Sequence, residues 1–215
     1  MPPKIREYDS DDIVVRFDLR RCIHAAECIK GHADVFQKDR RPWIDAAQGT
    51  PDDIAAVIHR CPTGALTYER KDGKHQEEAP LRNITKIDPD GPLFINGAIK
   101  ILTPSGEDKE YVRVALCRCG ASRNKPFCDN SHQDANFKDP GNFQRQPVTA
   151  EVGGPLTLTP RPNGSVLAEG NLQLESGDGD HAVLCSGKLS FCRCGESGNK
   201  PFCDGTHKKV GFETE

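Results

Sequence analysis

The residues able to do chemistry in this chain are chiefly cysteines, and most of them fall into a pattern that occurs twice. Cys117, Cys119, Cys128 and His132 recur as Cys192, Cys194, Cys203 and His207, within one frame: Cys-x-Cys-x2-Ser-x3-Pro-x-Cys-Asp-x-Ser/Thr-His. Thiolates suit zinc, cuprous ions and iron–sulfur clusters, and imidazole suits zinc and iron. Three Cys and one His are therefore a complete four-ligand set for either metal class. Spacing alone leaves zinc and iron open. The shared Ser122/Ser197, Pro126/Pro201 and Asp129/Asp204 positions make the two sites the same kind of centre.

The segments Cys117-Arg-Cys-Gly-Ala-Ser-Arg-Asn-Lys-Pro-Phe-Cys-Asp-Asn-Ser-His132 and Cys192-Arg-Cys-Gly-Glu-Ser-Gly-Asn-Lys-Pro-Phe-Cys-Asp-Gly-Thr-His207 resemble the CDGSH iron–sulfur domain, in its tandem-repeat form. The resemblance implies one 2Fe-2S cluster per repeat, with Cys117, Cys119, Cys128 and His132 as ligands in the first. Cys192, Cys194, Cys203 and His207 take that role in the second. Members with one motif pair as dimers, so two motifs in one chain imply an intrachain pseudo-dimer. Asn130 stands where the signature has Gly, and Thr206 where it has Ser. Asn tolerates left-handed backbone next best after Gly, and Thr keeps the hydroxyl, so the ligand sets are intact.

Replacing a thiolate with neutral imidazole lowers the negative charge at a cluster and raises its potential above that of an all-cysteine site, the trend that Rieske centres extend. Imidazole has a reference pKa near 6.5, so mild acid competes with iron for the nitrogen and should loosen the cluster. Asp129 and Asp204 either cap the short segment carrying the His or accept a hydrogen bond behind the ligands. Arg118, Arg123, Lys125, Arg193 and Lys200 offset cluster charge, receive an acidic redox partner, or simply form a solvated face.

A different cysteine pattern precedes the repeats. Cys22-x2-Ala25-x2-Cys28, followed by Cys61-Pro62, matches the bacterial ferredoxin arrangement with its middle cysteine missing. Cys22-Ile-His-Ala-Ala-Glu-Cys28 through Cys61-Pro-Thr-Gly-Ala65 resembles the divergent single-cluster ferredoxin family. Three cysteines with Ala25 at the fourth position suit a 3Fe-4S cluster. A 4Fe-4S cluster needs a further ligand, for which His24 and His32 are the candidates. The plain alternative is that Cys22, Cys28 and Cys61 are core thiols. Cys185, with no counterpart in the first repeat, reads as a small hydrophobe.

The elements that must position these residues follow from periodicity. Gly91 and Gly97 find counterparts in Gly164 and Gly170, which extends the repeat upstream. Val112, Val114 and Leu116 alternate with other residues, as do Leu156 and Leu158, and Leu172 and Leu174; half-buried strands cut by Gly and Pro into short hairpins are expected. Ile13 to Phe17 reads as a strand. Thr50-Pro51-Asp52-Asp53 starts a helix whose inner face carries Ile54, Val57 and Ile58, with Cys61 one turn on, pointing inward. The polar run from Arg70 to Pro80 reads as a linker. The expected fold class is α+β: a small ferredoxin-like module over 1–72, then β-rich CDGSH units over 80–145 and 150–215.

Ten cysteines would suggest disulfides in an exported chain, but Met1 to Asp12 is polar and acidic, without the apolar core of a signal peptide or the Arg-rich pattern of a transit peptide. A reducing, cytoplasmic setting and metal ligation are therefore expected. A net charge of −3 leaves no basic footprint for nucleic acid, and no apolar run approaches a membrane span. At 35% hydrophobic and 6% aromatic residues, small units gain from a metal staple. The reading is a monomer with three clusters that transfers electrons or stores and transfers clusters, meeting a redox partner or an apo iron–sulfur acceptor protein. It is expected not to be an enzyme, since no catalytic constellation stands out. The rivals are a zinc-binding structural or interaction module and an oxidoreductase using the N-terminal cluster.

Overall fold

The computed structural model describes residues 4–103, 108–145 and 152–214. Residues 1–3, part of the opening segment, and 146–151, which include the expected boundary near 150, lie outside the described residues. The chain divides into two compact units, 1–78 and 79–215. Among the described residues no helix is long and apolar enough to cross a membrane.

In the first unit β1 (Ile5–Asp9), β2 (Ile13–Asp18) and β3 (Leu66–Arg70) form an antiparallel sheet in the order β1-β2-β3. Along β2, buried Ile13, Val15 and Phe17 alternate with half-buried residues, so one face of the sheet meets the core. Two helices, α1 (Glu27–Gly31) and α2 (Pro51–His59), pack with it. The α2 start is built as its residues dictate: the Asp53 N–H donates to Thr50 Oγ1 at 3.2 Å, and Pro51 takes the first turn. Ile54, Ala55, Val57 and Ile58 are buried against Val35, Phe36 and Ile44. The helix stops at His59. Cys61 therefore sits on the turn beyond it, its N–H bonded to the Ile58 carbonyl, rather than on the helix face.

The second unit is mostly strand. The first repeat supplies β4 (Ile84–Ile87), β5 (Leu93–Ile101), β6 (Lys109–Leu116) and the short helix α3 (Ser131–Asp134). The second supplies β7 (Leu156–Pro160), β8 (Val166–Glu169), β9 (Leu172–Glu175), β10 (Ala182–Cys185) and β11 (Lys188–Phe191). They join in one sheet, β10-β9-β4-β5-β7-β8-β11, with β6 also on β5. β4 pairs antiparallel with β5 and parallel with β9, Ile84 lying opposite Gln173. β7 mirrors it, antiparallel with β8 and parallel with β5, Thr157 lying opposite Lys100. Each repeat's first strand thus completes the other repeat's sheet, in matching registers. Asn83 fastens the exchange: buried, it donates to the Gly154 and Asn171 carbonyls at 2.9 and 2.8 Å and accepts from the Ala98 N–H at 2.9 Å.

Two strand expectations need correction. The first repeat is not cut at Gly97; β5 runs through it with an irregularity between Asn96 and Ile99. The second breaks at Gly170, whose φ of 135° interrupts the strand. Nor is the end of β6 half-buried, for Arg113, Val114, Ala115 and Leu116 are all buried, with Leu116 bridged to Phe127 of the cysteine loop. Cys185 packs in the apolar core with Leu172, Leu174 and Val183, fully buried, as expected.

Candidate metal centres

Both cysteine loops leave the sheet at their first ligand. The Cys117 N–H donates to the Pro126 carbonyl at 2.9 Å and the Cys128 N–H to Ala115 at 2.8 Å; Cys192 to Pro201 and Cys203 to Ser190 repeat the pattern at 2.8 and 2.7 Å. These bonds fold the third cysteine back beside the first. Ser122 Oγ donates to the Phe127 carbonyl at 2.7 Å and accepts from the Asn124 N–H at 3.0 Å, as Ser197 does with Phe202 and Asn199. Asp129 accepts from the N–H groups of Arg123 and Ser131, and Asp204 from those of Gly198 and Thr206. The aspartates therefore tie the loop backbone together just before the histidine. Thr206, through side chain and backbone, and Gly198 hold the Asp204 carboxyl well below the usual carboxylate range. Asn130 and Gly205 both take left-handed backbone, φ 73° and 89°, as their residue types allow.

Nor do the basic residues form one solvated face. Arg118 and Arg193 are buried; Arg118 donates to the Gly91 and Asp88 carbonyls and pairs with Asp139 at 2.5 Å, while Arg193 donates to the Gly164 and Arg161 carbonyls. Lys125 and Lys200 reach back to the Ser122 and Ser197 carbonyls, both at 2.6 Å. The two buried guanidinium groups over carbonyls hold the turns beside the candidate ligands.

The candidate ligand atoms arrive in pairs. Cys117 Sγ and Cys119 Sγ are 3.7 Å apart and Cys128 Sγ and His132 Nδ1 3.5 Å; in the second loop the distances are 3.7 and 3.3 Å. A tetrahedral metal with bonds of about 2.3 Å to sulfur and about 2.0 Å to nitrogen sets two thiolates about 3.8 Å apart and a thiolate and imidazole about 3.5 Å. Each pair suits one metal, and each loop offers two pairs, which is the donor set of a binuclear cluster. Among the described residues no three of His, Cys, Asp and Glu converge on a single ion.

Charge fits as well. The neighbouring Cys119 and burial drive the Cys117 thiol far up, while Cys117 holds Cys119 down to about 7. Burial pushes Cys128 up to about 12 and Cys194 up to about 11. Such a set becomes fully thiolate only against a strong local cation, which metal ions supply. Burial likewise lowers His132, favouring the neutral imidazole that a metal needs.

The two loops also touch. A Cβ on Gly120, at φ +80°, would come 2.5 Å from the Cys194 carbonyl oxygen, and one on Gly195, at φ +86°, 2.7 Å from that of Cys119. Only glycine allows this approach. The sequence reading passed over both glycines, although each follows the second cysteine of its copy.

In the first unit Cys22, Cys28 and Cys61 are half-buried, pack against the edge of the core and line one cavity of about 840 Å³ with His24, Ala25 and Trp43. Buried Arg21 donates to the Thr63 carbonyl and so joins the Cys22 segment to the Cys61 turn. His24 and Ala26 adopt left-handed backbone, φ 56° and 62°, an uncommon conformation for residues with a Cβ. The His24 N–H points at Cys22 Sγ, 3.4 Å away, and its Nδ1 lies 3.9 Å from that sulfur. His32 lies elsewhere, its Nε2 against Gly49. Burial raises both the Cys22 and Cys28 thiols.

Comparison with known proteins agrees with this division. Residues 8–71 match a family model described as a divergent 4Fe-4S mono-cluster, and residues 90–133 and 163–208 each match one described as an iron-binding zinc finger of CDGSH type. A protein of Escherichia coli strain K12, the uncharacterized protein YjdI, is 35% identical over 66 residues, covering 31% of this chain and 87% of its own length. Its counterpart in Escherichia coli O157:H7 matches to the same extent.

Proposed function

We propose, from the premise that this chain belongs to the CDGSH-type iron-binding family with a divergent 4Fe-4S mono-cluster domain ahead of its two repeats, that it holds three iron–sulfur clusters and serves electron transfer or cluster storage and transfer. Cys117, Cys119, Cys128 and His132 would hold one 2Fe-2S cluster, and Cys192, Cys194, Cys203 and His207 a second. Cys22, Cys28 and Cys61 would hold the N-terminal cluster, either 3Fe-4S on these three alone or 4Fe-4S with a further ligand, for which His24, lining the same cavity, is the candidate over His32. When bound, such clusters supply one-electron redox chemistry at a potential set by ligand type and surroundings. Everything else asked of the chain is positioning: backbone ties fix the cysteines, buried arginines brace the turns, and glycines bring the two loops together.

The observation that carries this reading is the pairing of ligand atoms, two tetrahedral pairs per loop, where a structural zinc site would gather four donors around one point. The matching parallel registers of β4 with β9 and β7 with β5 support an intrachain pseudo-dimer. Purification of the full chain without oxygen, followed by iron, acid-labile sulfide and zinc analysis with visible absorption, tests the reading. Coloured protein with iron and sulfide in equal amounts is expected; colourless protein with stoichiometric zinc would overturn it.

The N-terminal cavity favours a second reading, an oxidoreductase acting on a small molecule beside that cluster, because about 840 Å³ is within the range of ligand pockets. Turnover of a small molecule that is lost on Cys22→Ala, with both 2Fe-2S signals intact, would support it over the carrier reading.

A further inference from the structure

The two repeats have equal ligands and unequal charge. The turn over 88–91 and the turn over 161–164 occupy corresponding places: carbonyls of Asp88 and Gly91 hold Arg118, and those of Arg161 and Gly164 hold Arg193. Each turn lies against its histidine. Asp88 and His132 interact electrostatically, and a Cβ on Gly164 would lie 3.7 Å from His207 Nε2. Behind the turns, Asp90 Oδ1 accepts the Asp139 N–H at 2.7 Å where Asn163 Oδ1 accepts that of Thr214, also at 2.7 Å.

So Asp88, Asp90 and Asp139 around the first site are replaced by Arg161, Asn163 and Thr214 around the second, and Gln133-Asp134 after the first histidine by Lys208-Lys209. Some swaps run the other way: Lys86, which acts on Asp88, becomes Thr159, Lys138, paired with Asp90 at 2.9 Å, becomes Glu213, Arg123 becomes Gly198 and Ala121 becomes Glu196. Their sum still leaves the second site the more positive. Each site carries one buried arginine, Arg118 or Arg193, so the outer turns make the difference.

Nearby positive charge stabilises a cluster that has gained an electron, and a carboxylate beside a ligating imidazole favours the oxidised state. We infer that the second repeat holds the electron sink of the pair, with Asp88 and Arg161 as the residues that set the order. One electron passes from the reduced first cluster to the oxidised second across the Cys119–Gly120 and Cys194–Gly195 contact, leaving the first oxidised and the second reduced. No proton or further reactant is needed. The inference rests on the proposal that both loops hold 2Fe-2S clusters.

The test is a dithionite titration of the full chain followed by electron paramagnetic resonance, with the two signals assigned through His132→Cys and His207→Cys. The second cluster is expected to be reduced first, with a separation of at least tenfold in the one-electron equilibrium, or 59 mV. Asp88→Asn should raise the first midpoint and Arg161→Gln lower the second, each narrowing the gap. Coincident midpoints, or the reverse order, would overturn the inference while leaving the clusters in place. Absence of iron and of any signal would overturn the cluster assignment and the inference together.

Discussion

Three cysteines in the first unit line one cavity of about 840 Å³, whereas the six candidate ligand cysteines and two candidate histidines of the second sit in loops tied back by the Cys117, Cys128, Cys192 and Cys203 N–H groups. In the first unit Arg21 on Thr63 joins the Cys22 segment to the Cys61 turn, and His24 and Ala26 are held in left-handed backbone. In the second, the ligand loops grow out of an interlocked sheet and lean on each other. The difference is between cysteines that share a cavity and cysteines fixed by backbone bonds within two touching loops.

The sharpest way to break the comparison is Gly195→Val. A β-branched residue in left-handed backbone, against the Cys119 carbonyl, should cost about 3 kcal/mol in the second unit and reduce iron at both loops from a single change. Urea unfolding and iron analysis read both effects, while the N-terminal signal should persist. Next comes Asn83→Ala, which leaves the Gly154 and Asn171 carbonyls and the Ala98 N–H without their partner. About 2 kcal/mol should be lost from the second unit, seen in its urea midpoint.

Two smaller changes sharpen the other side. Thr50→Ala removes the α2 cap and should cost about 1 kcal/mol in the first unit alone, with both 2Fe-2S signals unchanged. The least effect is expected of Asp72. Its hydrogen bond with Arg70 holds the carboxyl down to about 2, below its unfolded value, so this ion pair stabilises the fold above about pH 4 and is lost as pH falls toward 2. Thermal melts of the first unit should therefore fall more steeply over that range in the wild type than in Asp72→Asn.

The candidate ligand frame was legible because metal chemistry demands particular side chains at particular spacings, and a duplicated frame cannot arise from composition. The α2 start was equally legible, since Thr50, Pro51 and Asp53 act within one turn. The strand exchange was not, because parallel pairing of Ile84 with Gln173 joins residues far apart in sequence and leaves no local signal. Nor was the burial of Arg118 and Arg193: a charged residue beside a cysteine loop is expected at the surface unless its carbonyl partners are known. Gly120 and Gly195 were visible as a matched pair, but their role depends on a contact between loops that only the fold reveals.

The most direct test of the account is electron paramagnetic resonance of the dithionite-reduced full chain and of a variant with Cys22, Cys28 and Cys61 all changed to Ala. The account predicts that the variant loses one signal and keeps two 2Fe-2S signals that still respond to His132→Cys and His207→Cys. Identical spectra from the two proteins would contradict it, leaving the first unit without a cluster.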